Sequence, residues 1–422
     1  MQYARTLFCL IVVFLAHAGI DWLSNRPQDA GVDVPSGKLA SLSFAPFREG
    51  YDPLEEIYPI PEHVEHDMGL LADKTHSIRT YSSLGGLDVA PEYARRHGLT
   101  VLQGAWLSPE VGDNQREVAA LIQSANANPD VVKRVIVGNE VMLRGEMPID
   151  RLIEYIRQVK QAVKQPVSYA DVWSMYMKYP QLFKEVDFIT IHILPYWEDE
   201  PIAIDHAPGH LEKIVRQVEN EAHGIAPGKA ILIGESGWPS AGRQRGEAVP
   251  SVVNSAKFIR GMIQVAQKHG FDYNIVEAFN QPWKSKLEGV VGANWGLLSV
   301  NRQPVFPLTG PVYENPDWPW HFAIATAIWL LIVARHFKSL KSLSWESVLV
   351  FLTLAQIISV CWVTLGDFLW YTSYSNLQRA YTLSMVLLNA ALAWGVLQHC
   401  ANVLARKSDV QQLALWLSRG YL

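Results

Sequence analysis

The chain has 422 residues, a formal net charge of −5, and 49% hydrophobic against 18% charged residues. That balance argues against a wholly soluble protein and for apolar spans. The negative charge, with no long basic stripe interleaved with aromatics, argues against nucleic acid as a partner. The three cysteines, Cys9, Cys361 and Cys400, all fall in apolar runs, so the polar region between them holds neither a disulfide framework nor a cysteine metal site.

Residues 1–21 begin with Met1-Gln2-Tyr3-Ala4-Arg5 and continue as an apolar run from Leu7 to Ala16, the pattern of an export signal. Ala16-His17-Ala18 resembles a cleavage site. A signal peptide removed after Ala18 and a retained signal anchor are both open.

Residues 22–310 are expected to form one domain. From Lys38 to Pro304, short β-rich runs alternate with helical patterns, which argues for a parallel sheet with crossover helices. Eight strands are expected at Leu39–Ala45, Ser77–Tyr81, Thr100–Gly104, Arg134–Asn139, Pro166–Ala170, Phe188–Ile193, Ala230–Gly234 and Tyr273–Phe279. Helical stretches such as Val118–Ala127, Pro148–Val163, Leu211–Ala222 and Val252–Lys268 separate them, several closing on Gly as in His269-Gly270. Eight such units fit an α/β fold of the (β/α)8 or TIM-barrel type. The alternative is an open doubly wound sheet, but neither GxGxxG nor a Walker loop follows any strand.

Prolines at 304, 307, 311, 316 and 319 mark a linker, set at residues 311–319. Three apolar runs follow within residues 320–400: Trp320–Ala334, Val348–Leu365 and Tyr381–Leu397. Each approaches the ~20 residues that cross a bilayer, with Trp318, Trp320 and Trp329 read as interface anchors for the first. Arg335, Lys338 and Lys341, and Arg406, Lys407 and Arg419 in a tail at 401–422, are expected on the cytoplasmic side. The loop Gly366–Asn376 carries no Lys or Arg and is expected outside. Four spans would export the barrel from the inner (cell) membrane of a bacterium, with the lipid bilayer as a partner.

In such a barrel the reactive groups sit at the C-terminal ends of strands. Two strands end in glutamate: Val135-Ile136-Val137-Gly138-Asn139-Glu140 and Ile231-Leu232-Ile233-Gly234-Glu235. A carboxylate after a buried apolar strand is costly unless it is used or paired. At the fourth and seventh strands the two would face each other across the mouth, as glycoside cleavage requires. A structural ion pair is the competing reading.

Residues 229–242, KAILIGESGWPSAG, resemble the nucleophile signature of glycoside hydrolase family 17, and VIVGNE at 135–140 resembles its acid/base strand. The resemblance covers residues 38–305. It implies a (β/α)8 fold, retention of configuration, β-glucan (usually β-1,3-glucan) as substrate, and neither metal nor cofactor. Carried over residue by residue, it implies Glu235 as nucleophile, Glu140 as general acid/base, and Asn139 as a ligand of the sugar 2-hydroxyl. Arg79 and Tyr81 match a supporting Arg-x-Tyr. In Ile191-His192-Ile193-Leu194-Pro195-Tyr196-Trp197, His192 falls in the cleft and Tyr196 would bond the nucleophile or the sugar. Phe279-Asn280-Gln281-Pro282-Trp283-Lys284 resembles the element after the eighth strand, giving Phe279, Gln281, Trp283 and Lys284 as substrate-binding positions. Trp238 and Trp283 are expected to stack on sugar.

This sequence departs from the pattern twice. Gln281 stands where many relatives carry a carboxylate, and Gly292, three residues before Trp295-Gly296-Leu297, replaces another. With two charges fewer and more tryptophan, transfer to a sugar acceptor is expected beside hydrolysis. The two glutamates are expected about 5 Å apart, with the Glu140 pKa raised by its charged neighbour. His63 and His66 form a His-x-x-His read as a solvated helix face rather than a metal site. Asp171 and Trp173, after the fifth strand, would line the cleft or pack in the core. A non-catalytic glucan-binding or assembly subunit is the alternative function. Three C-terminal spans exceed what an anchor needs and leave room for a partner such as a membrane glucan synthase.

Overall fold

The computed structural model describes residues 2–405 and Leu415. The chain divides into two compact units, Gln28–Val312 and the pairing of Met1–Pro27 with Tyr313–Leu422.

The first unit is a closed barrel of eight parallel strands. They are β1 (Leu39–Ser43), β2 (Thr75–Arg79), β3 (Thr100–Ala105), β4 (Val132–Asn139), β5 (Val167–Val172), β6 (Ile189–His192), β7 (Ile231–Ser236) and β8 (Asp272–Ile275). Parallel strands flanked by helices are covered on both faces, so their sequences read as nearly continuous apolar runs rather than alternating ones. The register closes where Leu42 of β1 pairs with Ile275 of β8. Leu102, Ile136, Ala170, Phe188 and Leu232 form a small buried cluster apart from the large core shell. The covering helices are amphipathic. The helix Ile149–Ala162, for example, buries Leu152, Ile153, Tyr155, Ile156 and Val159 at helical spacing. The helix Val252–His269 starts where the Ser251 hydroxyl accepts from the Asn254 amide at 3.0 Å. It ends at Gly270, whose φ of 71° places it in the left-handed region that glycine adopts without strain.

β8 is shorter than the sequence implies. The run to Phe279 was expected to be strand, but the ladder stops at Ile275, and residues 276–281 turn inward with Glu277 wholly buried. A buried carboxylate needs partners that a parallel ladder cannot supply, and it finds them in the following loop.

Among its described residues, the second unit has four helices long and apolar enough to cross a membrane: Gln2–Ser24, Trp318–Leu340, Trp345–Tyr371 and Asn376–Leu404. The N-terminal helix packs with the others. Its Arg5 donates to the Leu343 carbonyl at 2.6 Å, and His17 Nδ1 lies 3.0 Å from Gln356 Nε2. Trp329, expected as an interface anchor, is instead buried between helices, where its indole donates to the Leu352 carbonyl at 3.0 Å. Trp320, one turn from the helix start, stays exposed. The tail residues Arg406, Lys407 and Arg419 lie outside the described residues.

Candidate active site

β4 delivers Glu140 through a distorted exit. Gly138 has a φ of 86°, and a β-carbon there would come within 3.1 Å of Val141 Cγ2. Glu140 itself sits at φ 53°, a conformation that costs an L-residue free energy and persists only where neighbours enforce it. Its amide donates to the Ala170 carbonyl of β5 at 2.8 Å. The next turn is gripped by Asp171, fully buried, which accepts from the amides of Met142 at 3.1 Å and Leu143 at 3.3 Å and from the Tyr169 hydroxyl. Asp171 therefore shapes the Glu140 turn, while Trp173 reaches Glu198 at 3.2 Å.

β7 delivers Glu235. Arg79, at the end of β2, holds that side of the site. Its guanidinium donates to Glu235 Oε1 at 3.2 Å, to the Gly234 carbonyl at 2.7 Å and to Asn139 Oδ1 at 2.6 Å. His192, at the end of β6, stands between the two glutamates. Its Nδ1 is 2.8 Å from Glu140 Oε1 and its Nε2 is 3.6 Å from Glu235 Oε1. Ligand atoms of Glu140, His192 and Glu235 all lie within 4.8 Å of one another. That separation is the one a nucleophile and an acid/base keep in retaining glycosidases, about 5 Å, rather than the wider gap of inverting ones. The same three side chains could hold a metal ion, but the fixed positive charge of Arg79 beside Glu235 disfavours a cation there.

The Glu140 pKa departs from expectation. Burial pushes its carboxyl up, but the hydrogen bond and charge of His192, with Arg144 and Arg79, more than offset this and hold it below the usual carboxylate range. The imidazole, expected as a substrate ligand, also contacts Glu140 directly, Nδ1 to Oε1 at 2.8 Å. Tyr81 lies under Arg79, 4.8 Å from guanidinium to ring, and donates to Ser43 Oγ at 2.8 Å. Burial and the nearby Glu235 charge push its phenol well up, so it stays protonated.

Other expected positions turn away from the mouth. Tyr196 donates to the Arg243 carbonyl at 2.6 Å, not to the nucleophile, and its ring is buried among Trp197, Trp238 and Trp295. Trp238 is wholly buried against Phe258 and donates to the Val249 carbonyl, leaving no face for a sugar. Phe279 is also core, edge-on to Phe44. Exposed tryptophan surface is found at Trp106, after β3, and Trp197, after β6, at 39% and 38%, with Arg144 over the first ring at 4.6 Å and Arg245 over the second at 5.7 Å. His63 pairs with the Tyr51 hydroxyl, and His66 with Arg48 and Asp67, so the His-x-x-His serves surface contacts.

After β8, Gln281 and Lys284 serve a residue that the sequence reading overlooked. Glu277 accepts from Gln281 and from Lys284, the latter at 2.9 Å to each carboxylate oxygen, and Gln281 in turn accepts from the Trp283 indole at 2.8 Å. Burial pushes the Glu277 carboxyl up, with Lys284 opposing it. Burial alone would lower the Lys284 ammonium, but Glu277 leaves it raised. A second overlooked carboxylate, Glu288, is exposed, yet its pKa is raised by partial burial and by the charges of Glu140 and Glu235, against Lys284. Two carboxylates, Glu277 and Glu288, therefore lie near positions 281 and 292, and Trp238 and Trp295 are buried. A signal for Glu277 was present: an acidic residue inside an otherwise apolar run, Ile275-Val276-Glu277-Ala278-Phe279.

Residues 42–296 match the BtgE/BtgC glycoside hydrolase domain. The chain is 28% identical over 269 residues to a glucan 1,3-beta-glucosidase of Arthroderma benhamiae, covering 60% of this chain and 86% of that protein. It is 29% identical to a probable beta-glucosidase, btgE, of Neosartorya fischeri, and spans about half the length of that relative (47%) and 63% of its own. Among solved structures it resembles a glycoside hydrolase family 17 β-1,3-glucanosyltransferase from Rhizomucor miehei, with TM-score 0.54 and 28% identity over 64% of this chain and 96% of that one. An active-site mutant of that Rhizomucor miehei enzyme, in complex with laminaritriose, matches with TM-score 0.55 over the same shares.

Proposed function

The chain belongs to the BtgE/BtgC glycoside hydrolase domain family, and on that premise we propose that it cleaves β-1,3-glucan with retention through a glycosyl-enzyme on Glu235. The single observation that carries this reading is the placement of Glu140 and Glu235 within 4.8 Å at the ends of β4 and β7. Glu235 attacks the anomeric carbon while Glu140 gives its proton to the departing glycosidic oxygen. The anomeric C–O bond breaks, the Glu235 ester forms, and the positive charge developing on the ring is stabilised by the carboxylate. Arg79 holds Glu235 in place through a hydrogen bond to Oε1, and through Asn139 it positions the amide that would bond the 2-hydroxyl. Glu140, now a base, takes a proton from the incoming hydroxyl, which releases Glu235.

The incoming hydroxyl belongs to water or to a second sugar. The 28%-identical glucanosyltransferase favours a sugar. Laminari-oligosaccharide incubated with the full chain in detergent, followed by mass spectrometry, separates the two. Products longer than the donor establish transfer; products that are all shorter leave a plain glucanase. Binding without any cleavage would instead fit a non-catalytic glucan-binding subunit.

The four apolar helices fit a membrane protein whose barrel lies outside the cytoplasm, in a bacterial inner membrane. The basic residues Arg335 and Lys338, in the last two turns of the second of these helices, and Lys341 just after it support a cytoplasmic loop there. The contacts of Arg5 and His17 support retention of the N-terminal helix as a fourth span. A reporter active only outside the cytoplasm, fused after Leu422, should stay silent. A glucan synthase in the same membrane is the partner class that would supply the polymer.

A further inference from the structure

We propose that His192 is a positioning residue for the acid/base. It ties one oxygen of Glu140, Oε1, so that the other, Oε2, is the atom that gives the proton to the glycosidic oxygen and later takes one back. The inference deepens the glucan-cleaving reading of the same site and rests on it. β6 and β7 run in register as far as Ile191 and Ile233, and the next pair is His192 with Glu235, so Gly234 is an extra residue on β7. A bulge of this kind re-aims the side chains beside it. A β-carbon at Gly234 would come 3.2 Å from His192 Cδ2 and Nε2 and 2.5 Å from Thr190 Cγ2, so the bare glycine makes the slot that seats the imidazole. The His192 side chain is wholly buried there.

The direction of the hydrogen bonds follows from Arg79. Its Nη1 lies 3.4 Å from His192 Nε2, and a guanidinium only donates. Nε2 is therefore the accepting nitrogen, which leaves the imidazole proton on Nδ1, 2.8 Å from Glu140 Oε1. Because Oε1 accepts that bond, the acid proton of Glu140 belongs on Oε2, to which no group among the described residues is hydrogen-bonded. Glu235 is divided in the same way. Arg79 bonds its Oε1 at 3.2 Å, and its Oε2 receives no hydrogen bond among the described residues. The remaining charged side chain beside the ring, Asp171 on the neighbouring β5, is engaged by the Tyr169 hydroxyl and the amides of Met142, Leu143 and Val172.

A glutamate side chain turns about several bonds, and the anchor of Glu140, its amide on the Ala170 carbonyl at 2.8 Å, lies at the far end of them. Holding the backbone does not hold the carboxyl. The bond from Nδ1 does: it stops the carboxyl from turning over and exchanging its oxygens, and it orders the group before the transition state is reached. In the first half-reaction the proton leaves Oε2 with the glycosidic oxygen as the Glu235 ester forms. In the second, Oε2 takes the proton of the incoming hydroxyl as that ester breaks. His192 keeps its own proton throughout.

The test uses the full chain in detergent, with melting temperature measured for every variant. An asparagine carries its amide N–H where the imidazole has Nδ1, whereas a glutamine amide reaches past that point toward Glu235. His192→Ala should lower kcat/KM for laminari-oligosaccharides by about ten- to a hundredfold, with the loss in kcat and KM nearly unchanged. With a dinitrophenyl laminaribioside, whose leaving group needs no proton, kcat/KM should fall less than about threefold. His192→Asn should return the oligosaccharide reaction to within a few-fold of wild type, and His192→Gln should stay near His192→Ala. Equal slowing of both donors, an Asn variant no better than the Gln variant, or an Ala variant with wild-type kcat/KM would overturn the inference. A wild-type chain that cleaves no β-glucan would instead overturn the functional reading, and this inference with it.

Discussion

The two sides of the barrel mouth follow different rules. On the β4–β7 side, Asn139, Glu140, His192 and Glu235 stand within one residue of strand ends, and all are brought together. On the β8 side, the motif residues Phe279, Gln281 and Lys284 are turned into core packing or into the partners of a buried acid. There the carboxylates come from Glu277 and Glu288. A strand end is fixed by a ladder whose period and direction are set locally, so a residue's position along it predicts where the side chain goes. A loop that crosses the mouth is fixed by what it meets on the other side.

The largest effect expected on this contrast comes from the strand-end pair. Glu235→Gln should lower kcat by roughly 10⁴-fold or more, the scale of removing a nucleophile. Glu140→Gln should slow substrates with poor leaving groups far more than activated aryl glycosides, since only the former need the proton. Equal slowing of both would remove Glu140 from the acid role.

Across the mouth, Glu277→Gln should act on stability more than on chemistry. It leaves the Lys284 ammonium facing a neutral amide in a buried setting, and breaking such a pair costs about 3–5 kcal/mol. Thermal unfolding measures this. A variant that melts normally but loses activity would make Glu277 part of the chemistry and erase the distinction between the sides.

Trp238→Ala sharpens the same division. Removal of a fully buried tryptophan costs about 3–5 kcal/mol, with KM for soluble oligosaccharides near wild type at temperatures where the variant is folded. Trp197→Ala should show the reverse, raised KM with little change in melting. A higher KM from Trp238→Ala in a stable enzyme would restore it as a sugar platform.

The smallest effect is a displaced pH limb. His192 holds the Glu140 pKa down, so the acid form is lost at lower pH than an ordinary buried glutamate would allow. Replacing His192 by Ala removes the largest opposition to burial and leaves only Arg144 and Arg79 against it, so the Glu140 pKa rises and the alkaline limb of kcat/KM moves to higher pH. A limb that stays in place would assign the lowering to Arg144 or Arg79.

The apolar period of the strands, the spacing of the helices between them and the two acids after Gly138 and Gly234 were legible in the sequence, because each depends on neighbours within a few residues. The four long apolar helices were legible for the same reason: length and composition decide them. Tertiary structure alone decided the rest. It buried Trp238 and Trp329 while leaving Trp106 and Trp197 open, because burial depends on which element packs opposite. It reversed the expected shift of Glu140, because His192, 52 residues away in sequence, comes within 2.8 Å of that carboxylate. And it placed Glu288 in the space above Gly292, because a residue without a side chain is filled by whichever neighbour the fold turns toward it.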